Sequence, residues 1–279
     1  MPCYALIFKF QMKNMQRLKG DPLSVSPVDR DGPDHPSNRL PDAQHAADGR
    51  VLTVFSVAAV EVALMRACDR FEQDSLWQVC VRFNTTPELM NKLRHGLRAD
   101  VWIAPPSLLA QAERATVVGP YLPLAQVGVG VAIPAGQALP DVSTTQAWVQ
   151  ALRSATSIFY TQASSGQYVH GLLSSMGLLA QTHHKVRRFE NGEDMLVALS
   201  QLGHQPGAMA MGAISEIRTF SHRGLVFAGP LPEAIGHRTT YAVATDPISP
   251  RAAHAHDWVQ ICKHPDIWGD AACTGIEPI

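Results

Sequence analysis

The residues with the most chemical promise lie in TQASSGQYVHGLLSSMGL, positions 161–178, where Ser164, Ser165 and Gly166 precede an amphipathic run. One reading makes Ser164 or Ser165 a helix N-cap, its hydroxyl accepting from an otherwise unpaired backbone N–H. The other makes those N–H groups, with the positive end of the helix dipole, a seat for an anion. Two further segments share the design: SVAAVE (56–61) and NTTPE (84–88) each follow an apolar run, lead into a helical pattern and carry little side-chain charge. Three such loops around one cleft would surround a carboxylate or tetrahedral oxyanion with N–H and hydroxyl groups. Three ordinary strand-to-helix turns would look the same in sequence.

Titratable candidates are few. His170 stands one turn into the helix after the serine loop, with Tyr168 close by, and Arg187 and Arg188 follow in the next strand. As plain structure these are a helix-surface histidine and a solvated strand edge within HHKVRR. His254 and His256 are two apart on a helical pattern, point to different faces and cannot chelate one ion together. P-loop, dinucleotide-binding, H-E-x-x-H and G-x-S-x-G signatures are absent, so neither a cofactor nor a metal is expected.

The elements that must position these residues alternate. VLTVF (51–55) suits a buried strand, and Val60, Ala63, Leu64, Ala67, Cys68 and Phe71 recur at helical spacing. A second strand runs through Trp77–Phe83. Thr86 as N-cap with Pro87 then opens a helix, and DVWIAPP (100–106) is a third strand. LAQVGVGVAIP (124–134) is long and apolar enough to cross between lobes. Beyond it the alternation restarts: a helix with Ser143 and Gln146 as capping box, then SIFYT, the serine loop and its helix, which ends at Gly177. KVRRFE and AMAMG (208–212) read as strands and DMLVALSQL as a helix. TTYAVAT (239–245) is a strand placed to cross back, and Ser249 with Pro250 starts a final helix. The class is α/β with a largely parallel sheet, in which ligands bind beyond the carboxyl ends of the strands.

The chain of 279 residues can hold two lobes, and its net charge of −1 gives no reason to expect nucleic acid. The five cysteines include no C-x-x-C pair, so no zinc or disulfide framework is indicated, and Cys68 and Cys80 read as buried thiols. No apolar run reaches the roughly 18 residues of a membrane span. MPCYALIFKF is interrupted by Lys9 and followed, not preceded, by basic residues, which does not fit a secretory signal. Residues 20–49, rich in Pro, Asp and Gly, read as disordered, so folding is expected to begin near Arg50.

The order of motifs resembles the type II periplasmic solute-binding proteins, specifically the molybdate-binding-like family. VLTVFSVAAVEVAL is similar to that family's first strand and helix, VRFNTTPELMNKLRHGLRADVWIAP to its second-loop segment, VGVGVAIP to the crossing strand, and TQASSGQYVHGLLSSMGL to the loop opening the second-lobe helix. GLVFAGPLPEAIGHRTTYAVAT and TGIEPI resemble a divergent branch that includes sequences similar to aconitate isomerase. The resemblance implies an α/β, two-lobed type II fold with a ligand cleft between lobes. Residues 1–49 would be a disordered or non-native extension, 50–126 with 239–279 lobe 1, and 127–238 lobe 2. It implies a monomer that binds a small anion for an ABC permease, without cofactor, membrane span or nucleic acid. The family's location is periplasmic, while the absence of a recognisable signal keeps the cytoplasm open.

The family's ligand positions fall unevenly here. The first-loop serine falls on Ala59, with Ser56 as a partial substitute; the second-loop positions fall on Thr85 and Thr86, and the third-loop ones on Ser164, Ser165 and Gly166. The family's tyrosine is replaced near Met211 and Gly212, which leaves room for an organic anion. Under the isomerase alternative, an allylic proton shift on a tricarboxylate, His170 and Tyr168 would be the acid/base pair and Arg187 and Arg188 carboxylate clamps.

Overall fold

The computed structural model describes residues 38–39, 48–203 and 206–279. The elements run β1 (Val51–Val57), α1 (Glu61–Asp74), β2 (Gln78–Asn84), α2 (Thr86–Arg94), β3 (Val101–Ala104), α3 (Pro106–Arg114), β4 (Leu122–Pro134), α4 (Thr145–Ser154), β5 (Ser157–Thr161), α5 (Ser164–Ser175) and α6 (Leu179–Thr182). They continue with β6 (Val186–Phe189), α7 (Gly192–Gln201), β7 (Ala208–Ala213), α8 (Ile214–Thr219), β8 (Leu225–Pro230), β9 (Arg238–Thr245), α9 (Ala252–Cys262), α10 (Pro265–Trp268), α11 (Ala271–Thr274) and β10 (Ile276–Pro278).

The strand order is β2-β1-β3-β9-β4-β7-β5-β6, with β8 and β10 also on β4. β4 belongs to two sheets. Its residues from Leu122 to Gly128 pair with β9, whereas those from Val129 onward pair with β7 and β8. The sheets are mixed, not largely parallel: β1, β2 and β3 run parallel, as do β5, β6 and β7, but β9 is antiparallel to both β3 and β4. β9 pairs only within the first sheet, so the return passage is made by the segment between β8 and β9.

Burial follows the pleat. In β5, Ile158 and Tyr160 enter one core with Trp148, Val169 and Leu173, while Phe159 enters another with Phe189, Met195 and Leu199. The first sheet is covered by α1 and α9, with Cys68, Phe71, Trp258 and Cys262 in one continuous core. Burial pushes the Cys68 and Cys262 thiols well above their ordinary range, so both are protonated packing groups.

At the carboxyl end of α5, Gly177 takes φ 67°, and Leu178 N–H donates to Leu173 O at 2.8 Å, closing the helix in a left-handed cap. Three expected starts shift. Thr85, not Thr86, caps α2; Thr144, not Ser143, caps α4 by accepting from Ala147 N–H at 3.1 Å. α9 begins at Ala252, and the Ser249 hydroxyl instead donates to Asp100 at 2.6 Å.

The expectation of disorder over residues 20–49 falls mostly outside the described residues. Asn38 and Arg39 do have a defined place. Arg39 and Val81 exchange backbone hydrogen bonds at 3.0 Å, covering the edge of β2, and the Arg39 guanidinium reaches Asp69 at 2.7 Å and also Glu72. Arg39→Ala is expected to lower stability by about 1 kcal/mol, since one half-buried and one exposed carboxylate lose their partner. A denaturant melt checks this; an unchanged midpoint would mean that the bridge contributes nothing.

At the amino ends of the first-sheet strands, Arg98 grips Asp246 with two bonds of 2.7 and 2.6 Å. That guanidinium holds the Asp246 carboxyl below the usual carboxylate range. The folded state therefore favours the ionised form. The pair's contribution is complete above the unfolded pKa of about 3.9 and fades as pH falls through the lower folded value. Asp246→Asn should flatten the loss of stability below about pH 4, measured by urea melts at stepped pH. An unchanged acid slope would count against this pair.

Candidate functional site

Two of the three loops meet. The Thr86 and Ser164 hydroxyls lie 2.8 Å apart, joining the first helical residue of α2 on one sheet to the first helical residue of α5 on the other. Two helix amino ends, each carrying roughly half a positive charge, are thus brought head to head.

The two termini are satisfied differently. At α2, Thr85 and Glu88 form a capping box: Glu88 N–H donates to Thr85 Oγ1 at 3.4 Å, and the Thr85 N–H and hydroxyl both donate to the Glu88 carboxylate. Pro87 has no N–H, so Thr86 is the residue of this turn with groups left for a ligand. At α5 the N-cap is Ala163, and no side chain caps the helix. Neither Ser164 nor Ser165 is the cap; they occupy the first two helical positions. The first turn carries no acid either. Of the two termini, α5 is the one whose first turn has neither a side-chain cap nor an acid to meet its N–H groups.

Gly166 has another task. A Cβ there would stand 2.0 Å from Thr161 O and 2.5 Å from Thr161 C, so the residue is glycine because α5 presses onto the end of β5. Ser165 is buried beside it.

The first loop is arranged differently from expectation. Ser56 is fully buried inside β1, and its hydroxyl donates to Val57 O at 3.0 Å. Ala59 sits in a 3-10 turn, Ala58–Val60, and its carbonyl accepts from Ser215 Oγ at 2.6 Å. Ser215, in the first turn of α8, is a second hydroxyl bridging the halves. Sequence reasoning missed it because six residues of helix show no period.

Gly212 lies inside β7 opposite Gly130, where a Cβ would meet Met195 Cε at 2.9 Å. The neighbouring α7 terminus already holds acids. The Glu216 carboxylate fills the space a Gly192 side chain would need, and the Asn191 cap binds Asp194.

Tyr168 and His170 each have a different hydrogen-bond partner. Tyr168 donates its hydroxyl to Ile235 O at 2.9 Å and stacks on His237 at 4.3 Å, tying α5 to the return passage. His170 Nδ1 instead meets the Tyr160 hydroxyl at 3.0 Å. Arg187 and Arg188 are exposed; Arg187 stacks on Phe189 within β6, and Arg188 stacks on Tyr160 of the neighbouring β5. His254 packs on Trp77, while His256 meets Gln260 at 3.1 Å. Among the described residues no cluster of three His, Cys, Asp or Glu side chains could hold a metal ion.

Two α/β sheets sharing a long strand, with the amino end of a helix from each meeting between them, define a two-lobed solute-binding architecture. Solved structures of this fold include the sulfate-binding protein of Mycobacterium tuberculosis (14% identity, 82% of this chain and 87% of that one, TM-score 0.64). Others are the periplasmic molybdate-binding protein of Azotobacter vinelandii (14%, 77% and 94%, 0.59) and the tungstate-binding protein of Desulfovibrio alaskensis (10%, 82% and 98%, 0.56). No curated protein matches the sequence. The chain belongs to the bacterial extracellular solute-binding proteins, whose family model matches residues 52–266. Among the described residues no helix is long and apolar enough to cross a membrane.

Proposed function

We propose that this chain binds a small oxyanion where α2 meets α5 and delivers it, as an exported solute-binding component, to an ABC-type permease. The observation that carries the reading is the meeting of Thr86 and Ser164 at 2.8 Å beside the uncapped, acid-free first turn of α5. Two positive helix ends in contact repel, and an anion between them would relieve that repulsion while filling the open N–H groups. The sulfate, molybdate and tungstate ligands of similarly folded proteins support the class of ligand, and short carboxylates present the same oxygen chemistry. The first sheet and the second would close over it as rigid bodies about β4 and the return passage.

Calorimetric titration with sulfate, phosphate, molybdate, tungstate, citrate and aconitate tests the proposal. Saturable binding of at least one of them, weakened by Thr86→Val, is the expected result. Absence of binding across the set would overturn it.

A further inference from the structure

We infer that Asn84 selects the ligand of this cleft, favouring an oxyanion that carries a hydrogen-bond donor over one that is fully ionised. The inference rests on the reading of the α2–α5 junction as the binding seat. Asn84 is the last residue of β2, is 1% exposed, and its side-chain Oδ1 has no hydrogen-bond partner. It is level with Val57, the last residue of β1, at the carboxyl end of the parallel strands. Thr85 and Thr86 follow directly, and Thr86 touches Ser164.

The chemistry of this atom sets it apart. The other buried, unpartnered side-chain atoms among the described residues are nitrogens, in Trp102, Trp148, Trp258 and Arg218; Asn84 Oδ1 is the one oxygen. A buried acceptor without a partner is costly, and only a donor relieves it. Sulfate, molybdate and tungstate at neutral pH offer lone pairs alone, so they would set oxygen against oxygen at Asn84. Hydrogen phosphate keeps one O–H, and a hydroxycarboxylate carries an alcohol O–H beside its carboxylates. Both give anionic oxygens to the first turn of α5 and a proton to Asn84. The shared chemistry is therefore an anion with one O–H donor.

The full chain is titrated calorimetrically with phosphate, citrate, sulfate and molybdate. Phosphate or citrate is expected to bind at least tenfold more tightly than sulfate or molybdate, and the phosphate and citrate arms separate a tetrahedral ligand from a hydroxycarboxylate. In Asn84→Leu, close to the amide in shape, that preference should fall to about twofold or less. The ligand-free melting temperature should hold or rise, because a buried polar atom without a partner is gone. Asn84→Ala, which adds no bulk, carries the same comparison if the leucine variant does not fold. A parent that prefers sulfate or molybdate, or a preference unchanged in the variants, overturns the selecting role while the seat stands. Failure of every anion to bind overturns the seat and the selecting role together.

Discussion

Ser164→Asp is expected to erase the anion-induced rise in melting temperature while leaving the ligand-free protein as stable as the parent or slightly more stable. A ligand that binds only the folded chain adds about 2.7 kcal/mol at 100 times its dissociation constant. For a chain of this size that corresponds to roughly 5–10 °C, an effect easily read in a thermal melt. Aspartate at the first helical position of α5 places a carboxylate where the external anion would sit, facing the Thr86 hydroxyl. The helix gains roughly 0.3–1 kcal/mol from a negative charge at its amino end, so the variant should not be fragile. Loss of the ligand effect without loss of stability is the signature of an occupied seat. A full ligand-induced shift in Ser164→Asp would place the anion elsewhere. A strongly destabilised variant would show instead that the contact with Thr86 is a structural clasp.

Gly166→Ala, two residues along the same turn, should behave in the opposite manner. It adds one methyl group and no charge, yet that methyl would stand 2.0 Å from the carbonyl oxygen of Thr161. The obstacle is backbone, which cannot rotate aside as a side chain would. Overpacking of this kind costs about 1–3 kcal/mol and more where backbone must move. The expected fall in melting temperature is about 5 °C or greater, measured without ligand. An alanine variant that melts with the parent would mean that α5 does not press on β5 as described.

These two substitutions show where a sequence reading of the site reaches its limit. The hydroxyl pairs at 85–86 and 164–165 are visible because each follows an apolar strand and opens a helical period, a local pattern. The cap assignments miss by one residue: Thr85 and Thr86 are the same residue type and differ only in the dihedral angles each adopts, while at α5 the cap falls on Ala163, which has no side-chain acceptor to mark it. The roles of Gly166, Tyr168 and His170 depend on partners distant in the fold or on another strand: the end of β5, the carbonyl of Ile235 and the hydroxyl of Tyr160. Helical spacing tells which residues share a face, but not what that face meets. Ser215 and Asn84 left no signal of their own. One lies in a helix too short for a period, and the other reads as an ordinary turn residue until its burial is known. The same distinction holds for the sheets. Alternating strand and helix identify an α/β chain, whereas the antiparallel insertion of β9 between β3 and β4 is a long-range pairing that no window of residues contains.

That insertion also governs the order in which the molecule can be completed. The strands of the second sheet, from the latter half of β4 through β8, occupy one continuous stretch of chain and need nothing from either end. The first sheet must wait. Its three leading strands emerge early, but the inner edge of β3 has no neighbour until residues 238–245 arrive, and β10 adds residues 276–278 later still. Both segments must leave the ribosome before that half can close, and until then β1–β3 remain an open edge that a chaperone or another unfinished copy could engage.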